Sequence, residues 1–131
     1  MTNKLPPIAV DGERSDIIID DIKNRVIITD AERIRVYKVT TDSMRPLMPI
    51  GSYGICTLSV NVNNLRVGHC LIFEDDEVVR LGIWVLHVII EIGEDEEGWW
   101  CRTQGLNNKR PDKGTRRIDE IRGRLKDVYL G

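Results

Sequence analysis

The sequence predicts a single all-β (mainly β) domain, and three observations support this prediction. The chain has 131 residues, which is about the size of one domain. It contains 17 Ile and 12 Val but only two Ala, and β-branched residues favour strands whereas alanine favours helices. Short apolar segments are separated roughly every 8 to 15 residues by polar turns, which is typical of a sandwich or a partly closed barrel.

The predicted elements follow one another along residues 17–131, which we expect to form the domain. Residues 1–16 are polar and contain two prolines and one glycine, so we expect a flexible N-terminal arm or an edge segment. Residues 33–40 alternate between apolar and polar side chains with the period of two that strands show. Polar turns are predicted at 61–64, 75–76 and 93–98, and a longer loop is predicted at 105–114. Strands are predicted, in order, at residues 17–19, 25–29, 33–40, 53–60, 70–74, 78–92, 99–103 and 118–129.

Composition excludes several classes of protein. Hydrophobic residues make up 41% of the chain and charged residues 31%, with a formal net charge of -2, which excludes a disordered polyelectrolyte and a collagen-like chain. Residues 81–90 form the longest strongly apolar segment, about half of the roughly 20 residues that a membrane-spanning helix requires. The N-terminal residues lack the apolar segment of a secretory signal. We therefore expect a cytoplasmic protein without a membrane span.

Cysteine spacing and the charge distribution suggest neither a metal site nor a nucleic-acid site. Cys56, Cys70 and Cys101 are odd in number and form no CxxC pair, which argues against a disulfide framework and a zinc ribbon. His69 precedes Cys70 directly, and neighbouring residues of a strand point to opposite faces, so we expect no metal and no cofactor. Residues 109–126 carry eight bases and three acids but no interleaved aromatic residues, which argues against a nucleic-acid partner.

Three residues are candidates for catalysis. Ser43 lies in a loop between two predicted strands, and Pro46 and Pro49 stiffen the backbone behind it, as a nucleophile on a rigid turn requires. His87 is the lone titratable residue of the apolar segment 84–90, and Asp112 lies in a loop from which a carboxylate could orient an imidazole. Taken singly, a turn serine and a histidine beside the core have structural explanations.

Five segments resemble, in order and spacing, the successive boxes of type I signal peptidases. The similarity spans about residues 36–128 and is closest to the archaeal and endoplasmic-reticulum type, whose catalytic base is a histidine. The LexA-like self-cleaving repressors share the serine box. The segments are TDSMRP at 41–46, LRVG at 65–68, VLHVI at 85–89, RTQGLNN at 102–108 with Pro111-Asp112, and IRGR at 121–124.

The resemblance implies a fold and a set of roles. The fold would be the coiled β-sheet of signal peptidases and LexA-like proteins. Ser43 matches the nucleophile, His87 the general base and Asp112 the second acid of the loop box. Thr41 matches the residue whose hydroxyl, with the Ser43 N–H, forms the oxyanion hole. These roles are chemically coherent, because imidazole ordinarily has a pKa of about 6.5 and two fixed donors stabilise a developing oxyanion.

The resemblance also indicates a peptide or protein substrate. Met44, Leu47 and Met48 would border a groove to which an extended peptide adds as a strand, with shallow pockets that select small side chains. A membrane-protein partner and the oligomeric state are left open.

Three positions depart from the pattern of the family. Leu106 and His69 stand where the boxes have aspartates, and Val88 stands where an arginine usually follows the histidine. We also expect the chain to lack the family's N-terminal membrane anchor.

The main prediction is a serine endopeptidase that resembles signal peptidase I. One alternative is a catalytically inactive module of the same fold that binds a peptide or protein. A third is a LexA-like protein that cleaves itself, for which Ala9-Val10 in the N-terminal arm is the candidate bond.

Overall fold

The described part of the chain is built almost entirely from strands of one sheet. The structure is a computed structural model that describes residues 8–10, 33–74 and 84–130. Its sheet contains seven antiparallel strands that curl strongly into a half-barrel, and one short strand pairs in parallel at the edge. The prediction of a mainly β domain is therefore confirmed.

The strands do not pair simply in chain order. They are β1 (Ile8–Val10), β2 (Ile34–Lys38), β3 (Tyr53–Thr57), β4 (Cys70–Glu74), β5 (Trp84–Asp95), β6 (Gly98–Gln104), β7 (Arg116–Arg117) and β8 (Ile121–Tyr129). Their order across the sheet is β1-β2-β3-β8-β4-β5-β6-β7. Among the described residues, 3₁₀ turns at Val62–Asn64 and Ile118–Glu120 connect strands. The last strand thus inserts between β3 and β4 and joins the two halves of the sheet.

A glycine lets β8 lie close to its neighbour. A Cβ added at Gly123 would lie 2.9 Å from the carbonyl oxygen of Thr57 in β3, so a larger residue would push the two strands apart. Register shifts interrupt the pairing of β8 with β3 and with β4, and such irregularities bend a sheet. They contribute to the strong curl of the half-barrel.

Alternating side chains pack on both faces of the sheet. On one face, the buried cluster contains Leu65, Leu71, Phe73, Ile89, Cys101 and Ile121. On the other face, Met44, Met48 and Cys70 are buried, with Leu86, Val88 and Leu125 packed against them. Because successive residues of a strand point to opposite faces, β5 contributes Ile89 to the first cluster and Val88 to the second. His87, two residues before Ile89 on β5, points to the same face as Ile89.

The structure corrects several predicted boundaries. The predicted strand at 70–74 coincides with β4, whereas the strand predicted at 53–60 ends at Thr57. The acidic turn predicted at 93–98 is wrong in extent, because β5 continues to Asp95 and β6 begins at Gly98. Gly98 has a φ of 104°, which favours glycine and allows the tight turn. The strand predicted at 118–129 begins with a 3₁₀ turn, and β8 starts at Ile121.

Other predictions fall partly or wholly outside the described residues. Three residues of the predicted N-terminal arm form β1, an edge strand parallel to β2. The predicted strands at 17–19 and 25–29 and the predicted turn at 75–76 lie in the part that the structure does not describe. Within the described ranges, no helix combines the length and the apolarity that crossing a membrane would require.

Candidate active site

Ser43 lies in a hydrogen-bonded turn that follows β2. The Arg45 N–H donates to the carbonyl of Asp42 over 3.1 Å, and the Met48 N–H donates to the carbonyl of Met44 over 2.9 Å. Met44 and Met48 are buried, so their side chains anchor the turn against the core. The serine is therefore held on a defined backbone.

His87 faces this turn from the central part of the sheet. It lies on β5 opposite Leu71 of β4, and its side chain is only 10% exposed. Its ring lies nearly perpendicular to the Phe73 ring, with the centroids 6.1 Å apart. Its Nε2 lies 3.2 Å from the Ser43 Oγ, which is within hydrogen-bond distance.

Asp112 holds the other ring nitrogen of His87. Its Oδ2 lies 2.6 Å from Nδ1 of His87 and accepts a second hydrogen bond, of 2.8 Å, from the Thr103 hydroxyl. The Asp112 N–H also donates to the carbonyl of Thr103 over 2.9 Å. With the carboxylate ionised, Nδ1 of His87 carries the proton, and Nε2 is left to accept from the Ser43 hydroxyl.

The environment of Asp112 favours this ionised form. Burial raises the pKa of the carboxyl, but the hydrogen bonds from His87 and Thr103, together with the charges of His87 and Arg116, outweigh burial. The net result is a pKa below the ordinary value for aspartate. Asp112 is therefore a carboxylate at neutral pH.

The loop that carries Asp112 is fastened to the turn that carries Ser43. The Asn107 N–H donates to the carbonyl of Ser43 over 2.7 Å, and the Asn107 side-chain amide donates to the carbonyl of Asp42 over 3.1 Å. A Cβ added at Gly105 would lie 2.9 Å from the same Ser43 oxygen. Only glycine allows this approach without displacement, so the two loops keep a fixed relation.

Thr41 lies beside the serine. Its Oγ1 is 3.4 Å from the Ser43 Oγ. Within the described ranges, the Ser43 N–H has no hydrogen-bond acceptor. These two groups are available as donors to an oxygen bound near the serine.

A cavity of about 400 Å³ opens beside the serine and the histidine. Met44 and Met48 line it, but Leu47 is 44% exposed and does not contribute to the lining. The structure therefore brings two of the three predicted groove residues to the site. The lining consists of Tyr37, Lys38, Val39, Thr40, Thr41, Ser43, Met44, Met48, Ile72, Val85, Leu86, His87 and Asn108.

Sequence reasoning missed three residues that shape the site. Thr103, Gly105 and Asn107 all lie in the segment RTQGLNN, which points to a family resemblance but assigns no role to these three residues. A hydroxyl that binds a carboxylate nine residues further on leaves no periodic signal in a sequence. Such contacts become visible only when the loop geometry is known.

The departures from the family pattern lie at different places in the structure. The Leu106 side chain is 48% exposed, and Val88 packs in the apolar cluster around Met44 and Met48. Nδ1 of His69 accepts a hydrogen bond of 3.1 Å from the Arg66 N–H, and His69 does not line the cavity. In the described part of the chain, no group of three or more His, Cys, Asp or Glu residues is placed to hold a metal ion.

The arrangement provides the groups that acyl transfer needs. A hydroxyl, an imidazole and a carboxylate are connected by hydrogen bonds, and oxyanion donors and an apolar cavity lie beside them. Comparisons of the chain with protein-family profiles, with curated proteins and with solved structures gave no match. Functional inference therefore depends on the geometry of these residues and on the resemblance of their sequence segments.

Proposed function

We propose that the protein is a serine endopeptidase, similar to type I signal peptidases, that cleaves an extended peptide. The observation that carries the proposal is the continuous connection from Asp112 through His87 to Ser43, with distances of 2.6 Å and 3.2 Å. Asp112 lies 25 positions after His87 in the sequence, and His87 lies 44 positions after Ser43. Their convergence at a cavity is what nucleophilic catalysis by serine requires.

The first half of the reaction forms an acyl-enzyme. The Ser43 Oγ attacks the carbonyl carbon of the peptide bond, and its proton passes to Nε2 of His87. The Thr41 hydroxyl and the Ser43 N–H stabilise the tetrahedral oxyanion. When the C–N bond breaks, Nε2 of His87 returns the proton to the departing amine.

The second half restores the serine. A water molecule gives a proton to Nε2 of His87 and attacks the acyl carbon. The ester bond to Oγ then breaks, the carboxylic acid leaves, and the proton returns to Oγ of Ser43. Asp112 stays ionised throughout and holds the imidazole in the tautomer that both halves need.

The alternatives make different demands on the structure. A module that only binds peptides would use the cavity, and it would not require the serine to contact the histidine. Self-cleavage at Ala9-Val10 would require this bond at the serine, whereas both residues are paired with Arg35 and Val36 in the sheet. The geometry therefore favours cleavage of a separate peptide.

Labelling of the purified protein with a fluorophosphonate, read out by intact mass, tests the proposal. One adduct is expected on the wild-type protein and none on Ser43→Ala, while His87→Ala should label at least about 100 times more slowly. Ser59→Ala is the matched control, because Ser59 is exposed and does not line the cavity.

Cleavage of a peptide library, read out by mass spectrometry, provides the second measurement. The proposal expects products from the wild-type protein and from Ser59→Ala, and none from Ser43→Ala. A protein that neither labels nor cleaves, or cleavage that survives in Ser43→Ala, would overturn the proposal. Peptide binding without turnover would instead establish the binding module.

A further inference from the structure

We propose that the cavity beside Ser43 selects peptides with a bulky, uncharged apolar residue at the position whose carbonyl is attacked. This inference rests on the proposed function, since it assigns a substrate class to the same site. It differs from the preference for small side chains that the sequence resemblance implies.

The first argument is the size of the cavity. Its volume of about 400 Å³ lies within the range of roughly 300 to 1,000 Å³ that is found for sites that enclose whole small molecules. A pocket that only accommodates a methyl group needs a small fraction of this space. A small side chain would leave much of the cavity unfilled, and unfilled apolar space forfeits packing contacts.

The second argument is the chemistry of the walls. The cavity has an apolar wall formed by Met44, Met48, Ile72, Val85 and Leu86. Met44, Met48 and Ile72 are at most 2% exposed, so they form a floor that is already part of the core. Lys38 and Thr40 line the exposed side. A charged side chain pressed against this floor would lose its hydration, and the floor itself offers no group of opposite charge, because Lys38 lies on the exposed side.

A glycine beneath the floor keeps the cavity open. A Cβ added at Gly54 would lie 3.3 Å from Leu86, 3.4 Å from the Met48 sulfur and 3.2 Å from Leu125. Such a Cβ would touch the Met48 sulfur and would require Leu86 to shift by a few tenths of an ångström, and both of these side chains line the cavity. The missing side chain at this position therefore gives the cavity part of its depth. Methionine side chains also adapt to ligands of different shapes.

The third argument is the position of the nucleophile. Ser43 and His87 are themselves part of the lining. The side chain nearest to an attacked carbonyl belongs to the same residue as that carbonyl, so this is the side chain that the cavity receives. Because side chains of an extended peptide alternate in direction, the residue before it points away.

Peptidyl diphenyl phosphonates that differ only in the residue bearing phosphorus test the inference. The Ser43 Oγ forms a bond to phosphorus, the bond from phosphorus to one phenoxy group breaks, and phenol leaves with the proton that His87 accepted from the serine. Rates are measured for alanine, leucine, phenylalanine and glutamate side chains by intact mass. We expect leucine and phenylalanine to react at least about ten times faster than alanine, and glutamate to react most slowly.

Two opposite substitutions at one position provide matched variants. Leu86→Phe narrows the cavity and should reduce the ratio of the phenylalanine rate to the alanine rate, whereas Leu86→Ala widens it and should increase that ratio. If Leu86→Phe fails to fold, as judged by thermal unfolding, Gly54→Ala narrows the cavity from below and should act in the same direction. A fluorophosphonate that carries no peptide, and therefore no amino-acid side chain, measures the intrinsic reactivity of Ser43 in each variant.

The outcomes separate this inference from the proposed function. Labelling by the fluorophosphonate together with equal or faster reaction of the alanine or glutamate phosphonate would overturn the inference and leave the serine hydrolase intact. Failure of both reagents, with no cleavage of any peptide, would overturn the proposed function and this inference with it.

Discussion

The Thr103 hydroxyl donates a hydrogen bond of 2.8 Å to Oδ2 of Asp112. The same oxygen faces Nδ1 of His87 at 2.6 Å. Thr103 is 1% exposed, so water cannot readily replace its hydroxyl as a donor. We therefore assign Thr103 as a positioning residue that fixes the carboxylate and, through it, the imidazole.

Substitution of Thr103 by valine should lower the cleavage rate about tenfold, because a hydrogen bond to a charged group is lost while the side-chain shape is kept. The loss of this donor raises the pKa of Asp112, so the acid limb of the pH–rate profile should move to higher pH. Steady-state cleavage rates across pH measure both effects. Thr103→Ser, which keeps the hydroxyl, is the control, and an unchanged profile in Thr103→Val would contradict the assigned role.

The lowered pKa of Asp112 predicts an acid-dependent contribution to stability. Its folded-state pKa lies below the unfolded value of about 3.9. Its stabilisation is therefore fully present above the unfolded pKa and is lost as pH falls through the folded pKa. Urea unfolding should be measured at a series of pH values from 7 down to about 2. As the pH falls, Asp112→Asn should lose less of its free energy of unfolding than the wild-type protein loses. If the free energy of unfolding fell equally with pH in both proteins, the Asp112 carboxylate would have the same pKa in the folded and the unfolded state.

The local part of the fold could be predicted from the sequence, and the long-range part could not. The apolar segment 70–74 predicted β4 with its observed bounds. The end of β5 was missed because Asp95 binds the Arg117 guanidinium through two hydrogen bonds of 2.7 Å and 2.8 Å, across 22 positions of the sequence. The insertion of β8 between β3 and β4 likewise depends on pairings between distant segments.

In the candidate site, too, the sequence predicts some residues, whereas others become apparent only from contacts between distant segments. The sequence segments that resemble a family predict Ser43, His87 and Asp112, and the structure brings their side chains together. Thr103 could not be selected, because its role depends on how the loop after β6 folds back. Leu47 lies close to the serine in the sequence, but it is 44% exposed and does not line the cavity.

The cysteines should be chemically inert in the folded protein. Cys56, Cys70 and Cys101 are buried and free. Burial raises the pKa of all three thiols, and it raises the pKa of Cys101 to about 11 even though the charge of Arg116 opposes the shift. Because the thiolate is the reactive form, iodoacetamide at pH 8 should add nothing to the native protein and three groups to the protein in urea. Intact mass measures both, and rapid modification of any cysteine in the native state would contradict the burial.

Gly105 should be essential for the alignment of the site. A Cβ at this position would lie 2.9 Å from the Ser43 carbonyl oxygen and 2.5 Å from the side-chain nitrogen of Asn108, so the two loops must separate in Gly105→Ala. We expect a loss of about 1 to 3 kcal/mol in the free energy of unfolding. We also expect at least a tenfold slower labelling of Ser43, because the loop displacement moves Asp112 away from His87.

Lys109→Ala is the matched control for Gly105→Ala, since Lys109 is an exposed residue of the same loop, and it should change neither quantity. Urea unfolding and fluorophosphonate labelling measure the two effects separately. A destabilised Gly105→Ala that labels at the wild-type rate would show that the serine and the histidine keep their contact without the loop. The close approach of the loops would then stabilise the fold without aligning the catalytic groups.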